Sequence, residues 1–186
     1  MHKLYCIMGR SASGKSTLAR KVAEHFKLSI LKSYTTRPIR PGENPDSSDH
    51  IFITEKDVPK YKEQVIAETE INGYLYFTTK EQLKSADIYV IDPLGLDYLQ
   101  KNVNTKEIKL VLIYISVNPL VAFHHAIKRE DNLTEWIKRF NAEDEQFAVF
   151  EHKLKLSQVE CKVIKNNKKL DEAAKCLIQY IEENRP

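Results

Sequence analysis

A chain of 186 residues, 42% hydrophobic and 30% charged, is long enough for one domain with a proper core and too short for two comfortable ones. That balance excludes a disordered chain, and a formal charge of +3 is too small to argue for a nucleic-acid coat, so basic residues that matter do so locally. Cys6, Cys161 and Cys176 form no C-x-x-C pair and read as reduced thiols; with no membrane-length apolar stretch and no signal peptide, they predict a soluble cytoplasmic protein. Cys6 in its apolar run and Cys176 on an apolar helix face are both expected in the core.

The apolar run 4–9 ends in Gly9 and reads as a strand. Leu18, Val22 and Phe26 then recur at helical spacing and predict a helix over 18–26. Residues 28–36 read as a further strand. The stretch 37–86 breaks the alternation with a loop, a short helix around 55–64, and two β-like runs, VIAETEI and YLYFT, on either side of Asn72-Gly73. That dipeptide between such runs predicts a hairpin. The whole stretch is expected to be a small β-rich insertion in a core formed by 1–36 and 87–186, placed to carry specificity. Strands follow over 87–92, 108–116 and 161–165, with helical patterns over 119–129 and 133–150. A closing helix lines up Leu170, Ala173, Ala174, Leu177, Ile178 and Ile181, with Asp171 and Glu172 near its N-terminal end. Buried strands separated by helices predict one α/β domain: a three-layer α/β/α arrangement with a parallel sheet and right-handed crossovers.

The chemistry begins at Gly9-Arg10-Ser11-Ala12-Ser13-Gly14-Lys15-Ser16-Thr17, which satisfies G-x-x-x-x-G-K-[ST] between a strand and a helix. The glycines let the chain curl with its N–H groups pointing inward and keep side chains out of the path of a polyphosphate. Lys15 reaches the β- and γ-phosphates, the Ser16 hydroxyl can ligate Mg²⁺, and the helix start adds partial positive charge. This P-loop predicts binding of a nucleoside triphosphate.

A P-loop names a donor and leaves the acceptor open. Ser33-Tyr34-Thr35-Thr36-Arg37-Pro38-Ile39-Arg40-Pro41-Gly42-Glu43 resembles the Ser-x-Thr-Thr-Arg-x-x-Arg-x-Gly-Glu segment of the guanylate kinase family. ETEINGYLYFT (68–78) and VIDPLG (90–95) resemble later blocks of that family, in the same order, so the resemblance spans nearly the whole chain. It implies a P-loop nucleoside monophosphate kinase that moves the ATP γ-phosphate to GMP or dGMP with Mg²⁺. It also implies an acceptor-binding insertion at about 37–86 and a helical lid at about 128–145. Arg37 and Arg40 would hold the acceptor phosphate, for which guanidinium forks are well suited; Tyr76 would donate to the same phosphate. Ser33, Thr78, Asp92 and either Glu68 or Glu70 would read the base, Glu70 being slightly favoured. Asp92 has a further argument, because a carboxylate at the end of a buried strand lies at the crevice where α/β proteins bind ligands.

Two stretches depart from the family pattern. Where the family carries a tyrosine at the end of a Gly-x-Asp-Tyr run, Ser47-Ser48-Asp49-His50 puts an imidazole. His50 is expected to touch the acceptor phosphate and, if protonated, to add charge, so that acceptor kcat/KM falls as pH rises through the histidine range. In the lid, Arg129 and Arg139 are expected to clamp the triphosphate, while His125 stands where another arginine is common and Lys128 or Lys138 could cover for it. Trp136 is expected to pack. Two other readings stay open: a kinase of the same fold for a phosphorylated sugar such as ribose 1,5-bisphosphate, and an inactive protein-binding module. A monomer and a homodimer are equally compatible with the sequence.

Overall fold

The computed structural model describes residues 1–40, 43–156 and 158–185, with the backbone alone at Ser47; Pro41 and Gly42 of the acceptor-like segment lie outside the described residues. Among the described residues, β1 (His2–Met8), β2 (Ile30–Leu31), β7 (Ile88–Val90), β8 (Ile108–Ser116) and β9 (Lys162–Lys165) form a five-stranded sheet, ordered β2-β7-β1-β8-β9, with every pairing parallel. This is the α/β architecture expected from the buried runs.

Side-chain alternation along β1 supplies the two faces. Leu4, Cys6 and Met8 pack with Leu96 and Leu99 of α3 (Pro93–Asn102) and Phe147 and Phe150 of α5 (Leu133–Lys155). Tyr5 and Ile7 pack on the opposite face with Leu18 and Val22 of α1 (Lys15–Phe26) and Leu177 and Ile181 of α6 (Leu170–Asn184). Cys6 is in the core as expected. Cys176 is exposed, because it falls outside the stripe made by Ala173, Ala174, Leu177 and Ile181.

The strand expected over 28–36 is two strands. β2 belongs to the large sheet, whereas β3 (Ser33–Thr35) joins a second, four-stranded sheet ordered β4-β3-β6-β5, with β4 (His50–Phe52), β5 (Val65–Ile71) and β6 (Tyr74–Thr79). Only Lys32 separates the two. Its carbonyl accepts a hydrogen bond at 2.7 Å from the side chain of Gln82, on the short helix α2 (Lys80–Lys84) that leads back to the large sheet. Asn72 and Gly73 have φ of 54° and 77°, the left-handed pair a tight hairpin requires, so β5 and β6 meet as the sequence predicts.

The helix expected around 55–64 is a 3-10 run, Glu55–Gln64, with Pro59 inside it. Its Tyr61 stacks with Tyr34 of β3 and Phe77 of β6, at ring-centroid distances of 4.5 and 5.8 Å. α3 was not among the helices expected from the sequence. Asp92 caps the helix, with Oδ1 accepting from Gly95 N–H at 2.9 Å and Pro93 in the first turn.

Phe77 is 1% exposed at the centre of the aromatic stack. Phe77→Ala is expected to cost about 3–5 kcal/mol. Urea unfolding should show the loss, and an unchanged midpoint would mean that the stack does not hold the second sheet.

Candidate nucleotide-binding site

At the C-terminal ends of β1 and β7 the two sheets face each other across a cleft of about 1090 Å³. From the loop after β1, Gly9, Ser11, Ala12, Lys15 and Ser16 line it. Ala12 and Gly14 adopt φ of 62° and 87°, which curls the loop around its own N–H groups. A side chain on Gly9 would meet Ser13 Oγ at 2.5 Å and the Ile115 carbonyl at 2.8 Å, so close packing against β8 demands glycine there. Asn166, just past β9 and 1% exposed, donates from Nδ2 to the Ser13 carbonyl at 2.8 Å and braces the loop from behind. Burial pushes the Lys15 ammonium below its usual pKa.

Arg10 and Thr17 do not line the cleft. The Arg10 side chain turns away onto α5, pairing with Asp144 at 2.6 Å and Glu151 at 3.4 Å, with its guanidinium over Phe140 and Phe147. Thr17 is exposed on α1. From α5, Glu143 reaches the loop: its carboxylate accepts from the Ser11 N–H and the Ser11 hydroxyl, each at 2.7 Å. An anion therefore already stands on a backbone donor of the P-loop, carried by α5. α4 (Pro119–Lys128) adds His125, whose Nδ1–H donates to the Ala12 carbonyl at 3.0 Å. Trp136 packs with Phe123 and Phe140 beside the loop, as expected.

Across the cleft the two arginines of the SYTTRP segment behave differently. Arg37 is 6% exposed, and its fork is occupied by Glu43 at 2.8 and 2.9 Å. Burial alone would raise the Glu43 pKa, but the Arg37 fork, the Arg40 N–H and the Ser48 hydroxyl outweigh it and hold the acid at about 2. Arg40 has no ion pair among the described residues. Burial lowers its pKa, and Arg139 and Arg37 lower it further. Arg139 likewise has no ion pair among the described residues, and its Nε is buried without a partner. Two cations that repel each other and lack anions face the P-loop lysine. Arg129, more exposed, pairs with Asp131 at 2.6 Å but still borders the cleft, as does Lys138; Lys128 does not.

Of the remaining expected residues, Ser33, His50, Glu68, Tyr76 and Asp92 line the cleft. Ser33 Oγ and His50 Nδ1 are 2.9 Å apart, and the His50 ring meets Tyr76 edge-on at 5.3 Å. His50 does not carry the charge expected of it: burial, then Arg37, lowers its pKa to about 4 against the opposing pull of Asp49 and Glu43. Thr78 is fully buried behind the cleft wall, donating to Tyr89 Oη at 2.8 Å, and it is Tyr89 that reaches the cleft. Glu70 borders a separate cavity of about 400 Å³ beside Asp97 and Lys153. Of the two glutamates, then, Glu68 borders the cleft and Glu70 does not, and neither shares the face of Tyr76. Residues directly opposite in a hairpin share a face, and Thr69 is the residue opposite Tyr76, whereas Glu68 and Glu70 oppose Phe77 and Leu75. Glu143, Asn166, Thr69 and Tyr89 were not singled out from the sequence; Asn166 alone had a legible signal, its position at the end of a parallel strand.

A family profile described as "Guanylate kinase" matches residues 1–184. The chain belongs to the guanylate kinase family. It is 24% identical over 159 residues to a guanylate kinase of Bartonella henselae, covering 80% of this chain and 71% of that one. It is 44% identical over 69 residues to one from Zymomonas mobilis, covering 37% and 30%. The crystal structure of guanylate kinase from Anaplasma phagocytophilum superposes with a TM-score of 0.68 at 19% identity, over 98% of this chain and 86% of that one, which shows the shared fold.

Two outcomes follow from the charges. Glu143→Ala removes the carboxylate that a nucleotide phosphate must displace from Ser11, so KM for ATP should fall by roughly 3- to 10-fold; an unchanged value would mean that the contact does not compete with nucleotide. His50 stays neutral in the free protein, so acceptor kcat/KM should be flat from about pH 6 to about pH 8. Its folded-state pKa lies below the ordinary 6.5, so the stability it contributes is complete above that value and is lost as pH falls toward about 4. Thermal melts of the protein and of His50→Phe across that range measure the difference.

Proposed function

We propose that this chain transfers the γ-phosphate of ATP to GMP or dGMP, with the acceptor held between the second sheet and the lid. Family membership makes it an ATP-dependent nucleoside monophosphate kinase. The observation that carries the residue assignment is the pair of unpaired, mutually repelling guanidiniums, Arg40 and Arg139, on the same cleft as the P-loop. Burial lowers the Arg40 pKa with no ion pair among the described residues to offset it, and a phosphate would supply the missing anion.

In this reading the P-loop N–H groups and Lys15 hold the donor's β- and γ-phosphates, with Arg139 and Arg129 closing from the lid. Arg40 and Tyr76 hold the acceptor phosphate. Arg37, locked by Glu43, orients the segment that carries Arg40: the Arg40 N–H itself donates to Glu43 Oε2 at 3.1 Å. The acceptor's attacking phosphate oxygen is already anionic, so no general base is required and the protein's work is positioning and charge stabilisation. Lid and second sheet together exclude water, which would otherwise take the phosphoryl group.

Mg²⁺ fits the donor set. The Ser16 hydroxyl lies on the cleft beside Lys15, and a hard cation that keeps several waters and binds phosphate oxygens needs few protein ligands. When bound it would neutralise charge between the β- and γ-phosphates. Among the described residues no helix is long and apolar enough to cross a membrane, and the three cysteines are unpaired, which agrees with a reducing compartment such as the cytoplasm.

One observation favours a second acceptor. The hairpin leaves Glu70 on a separate cavity and puts Glu68, though it borders the cleft, off the face of Tyr76, and a phosphorylated sugar such as ribose 1,5-bisphosphate would need no base-reading acid there. ADP formation measured with GMP, dGMP, AMP, UMP and ribose 1,5-bisphosphate separates the two, and GMP or dGMP should give the highest kcat/KM. Lys15→Ala should lower turnover by roughly 100-fold or more while leaving the melting curve intact; an active Lys15→Ala protein would remove the P-loop from the chemistry.

A further inference from the structure

Thr69 is a buried polar group for which the roles assigned so far give no use. It is 8% exposed, its hydroxyl oxygen is buried with no well-formed hydrogen bond, and it lines the cleft. A buried hydroxyl left unbonded costs about 1–3 kcal/mol unless something arrives to satisfy it. Its position is fixed by pairing: β5 and β6 place Thr69 directly opposite Tyr76, on the face that looks into the cleft.

Three further groups converge on the same wall. Asp92, at the end of β7, lies close enough to the Thr69 hydroxyl for the two to interact, although the geometry falls short of a full hydrogen bond. Its Oδ1 is committed to the Gly95 N–H, and no lysine or arginine pairs with its carboxylate among the described residues. Tyr89 presents its phenol between them and the interior, held there by Thr78. Ile71 and Ile91 complete the wall with apolar surface. This is a shallow slot with an acceptor, a hydroxyl that can donate or accept, and flat apolar flanks. Such a combination suits the edge of a planar nitrogen heterocycle, whose N–H groups need acceptors and whose ring carbonyl needs a donor.

We propose that Thr69 is a specificity-determining residue, and that its Oγ1 with the Asp92 carboxylate holds the base edge of the acceptor nucleotide, from the sheet face shared with Tyr76 that Glu68 and Glu70 do not occupy. The Asp92 oxygen accepts a ring N–H, and the Thr69 hydroxyl, freed from its poor contact with Asp92, donates to the neighbouring ring oxygen. This rests on the nucleoside monophosphate being the acceptor.

Steady-state kinetics on Thr69→Val and Thr69→Ser test it, with GMP and with ribose 1,5-bisphosphate as acceptors. Valine keeps the shape and removes the hydroxyl. KM for GMP should rise by roughly 5- to 30-fold in Thr69→Val and return to within about threefold of the wild type in Thr69→Ser, while KM for ATP stays within about twofold. A fall in kcat with no rise in KM for GMP, or equal loss in the valine and serine variants, would overturn the role of the hydroxyl. So would a Thr69→Val protein with wild-type KM. Melting curves of both variants separate misfolding from lost recognition, and a serine variant that folds but does not recover GMP binding counts against the proposal. If the wild-type protein phosphorylates ribose 1,5-bisphosphate and no nucleotide, the acceptor reading itself falls and takes this inference with it; GMP turnover insensitive to Thr69 sinks the inference alone.

Discussion

Positive charge gathered at one end of a parallel sheet has to be kept from repelling itself apart until a polyphosphate arrives. Lys15, Arg40 and Arg139 share a single cleft; burial lowers the pKa of Lys15 and of Arg40, and the Arg139 Nε is buried with no hydrogen-bond partner among the described residues. The fold manages this with carboxylates placed around the cleft. Glu43 locks Arg37, Asp144 and Glu151 draw Arg10 away onto α5, Asp49 pairs with Arg20 at 2.9 Å, and Glu143 sits on the P-loop itself. What remains uncompensated is confined to the places where phosphate would sit. Electrostatic strain is thus localised, and the surrounding ion pairs keep it from spreading into the insertion or the lid.

The lid is joined to the P-loop by more than charge. Ala12 packs with Ala122, Ala126 and Trp136, His125 hydrogen-bonds the Ala12 carbonyl, and Glu143 bonds Ser11. Three contacts of different kind converge on two adjacent loop residues. In the proposed reading, nucleotide entry exchanges the Glu143 contact for phosphate oxygens while the apolar packing and the His125 bond persist. The lid therefore has no need to leave the loop altogether for the donor to bind.

Most of the fold was legible because it is written locally. The run from Gly9 to Thr17 fixes its own geometry, Asn72-Gly73 sets the hairpin, and the apolar strands 88–90 and 108–116 fall where the pattern puts them. What was not legible depends on partners distant in sequence. Residues 28–36 look like one strand, and only the neighbours that each half finds divide it at Lys32. Either Glu68 or Glu70 was expected to read the base, and only a register shift between Val65 and Ala67 and the pairing with β6 decide that Glu68 borders the cleft while Glu70 lies on a separate cavity. The charge state of His50 is set by its burial beside Arg37, and nothing in its sequence context reveals that. Cys176 missed the core by one position on a helical wheel.

The junction at Lys32 has a mechanical consequence. The strand that enters the second sheet and the helix that leaves it are tied to each other by the Gln82–Lys32 hydrogen bond, so both covalent attachments of that sheet run through one seam. The seam is not the sheet's sole anchor: Ile66 and Ala67 of β5 share a core cluster with Leu96 and Leu99 of α3, and Thr78 of β6 donates to Tyr89 of β7. The second sheet is thus clamped to the large one at its covalent seam and again through its middle, so a substitution at either place is felt at the cleft between them.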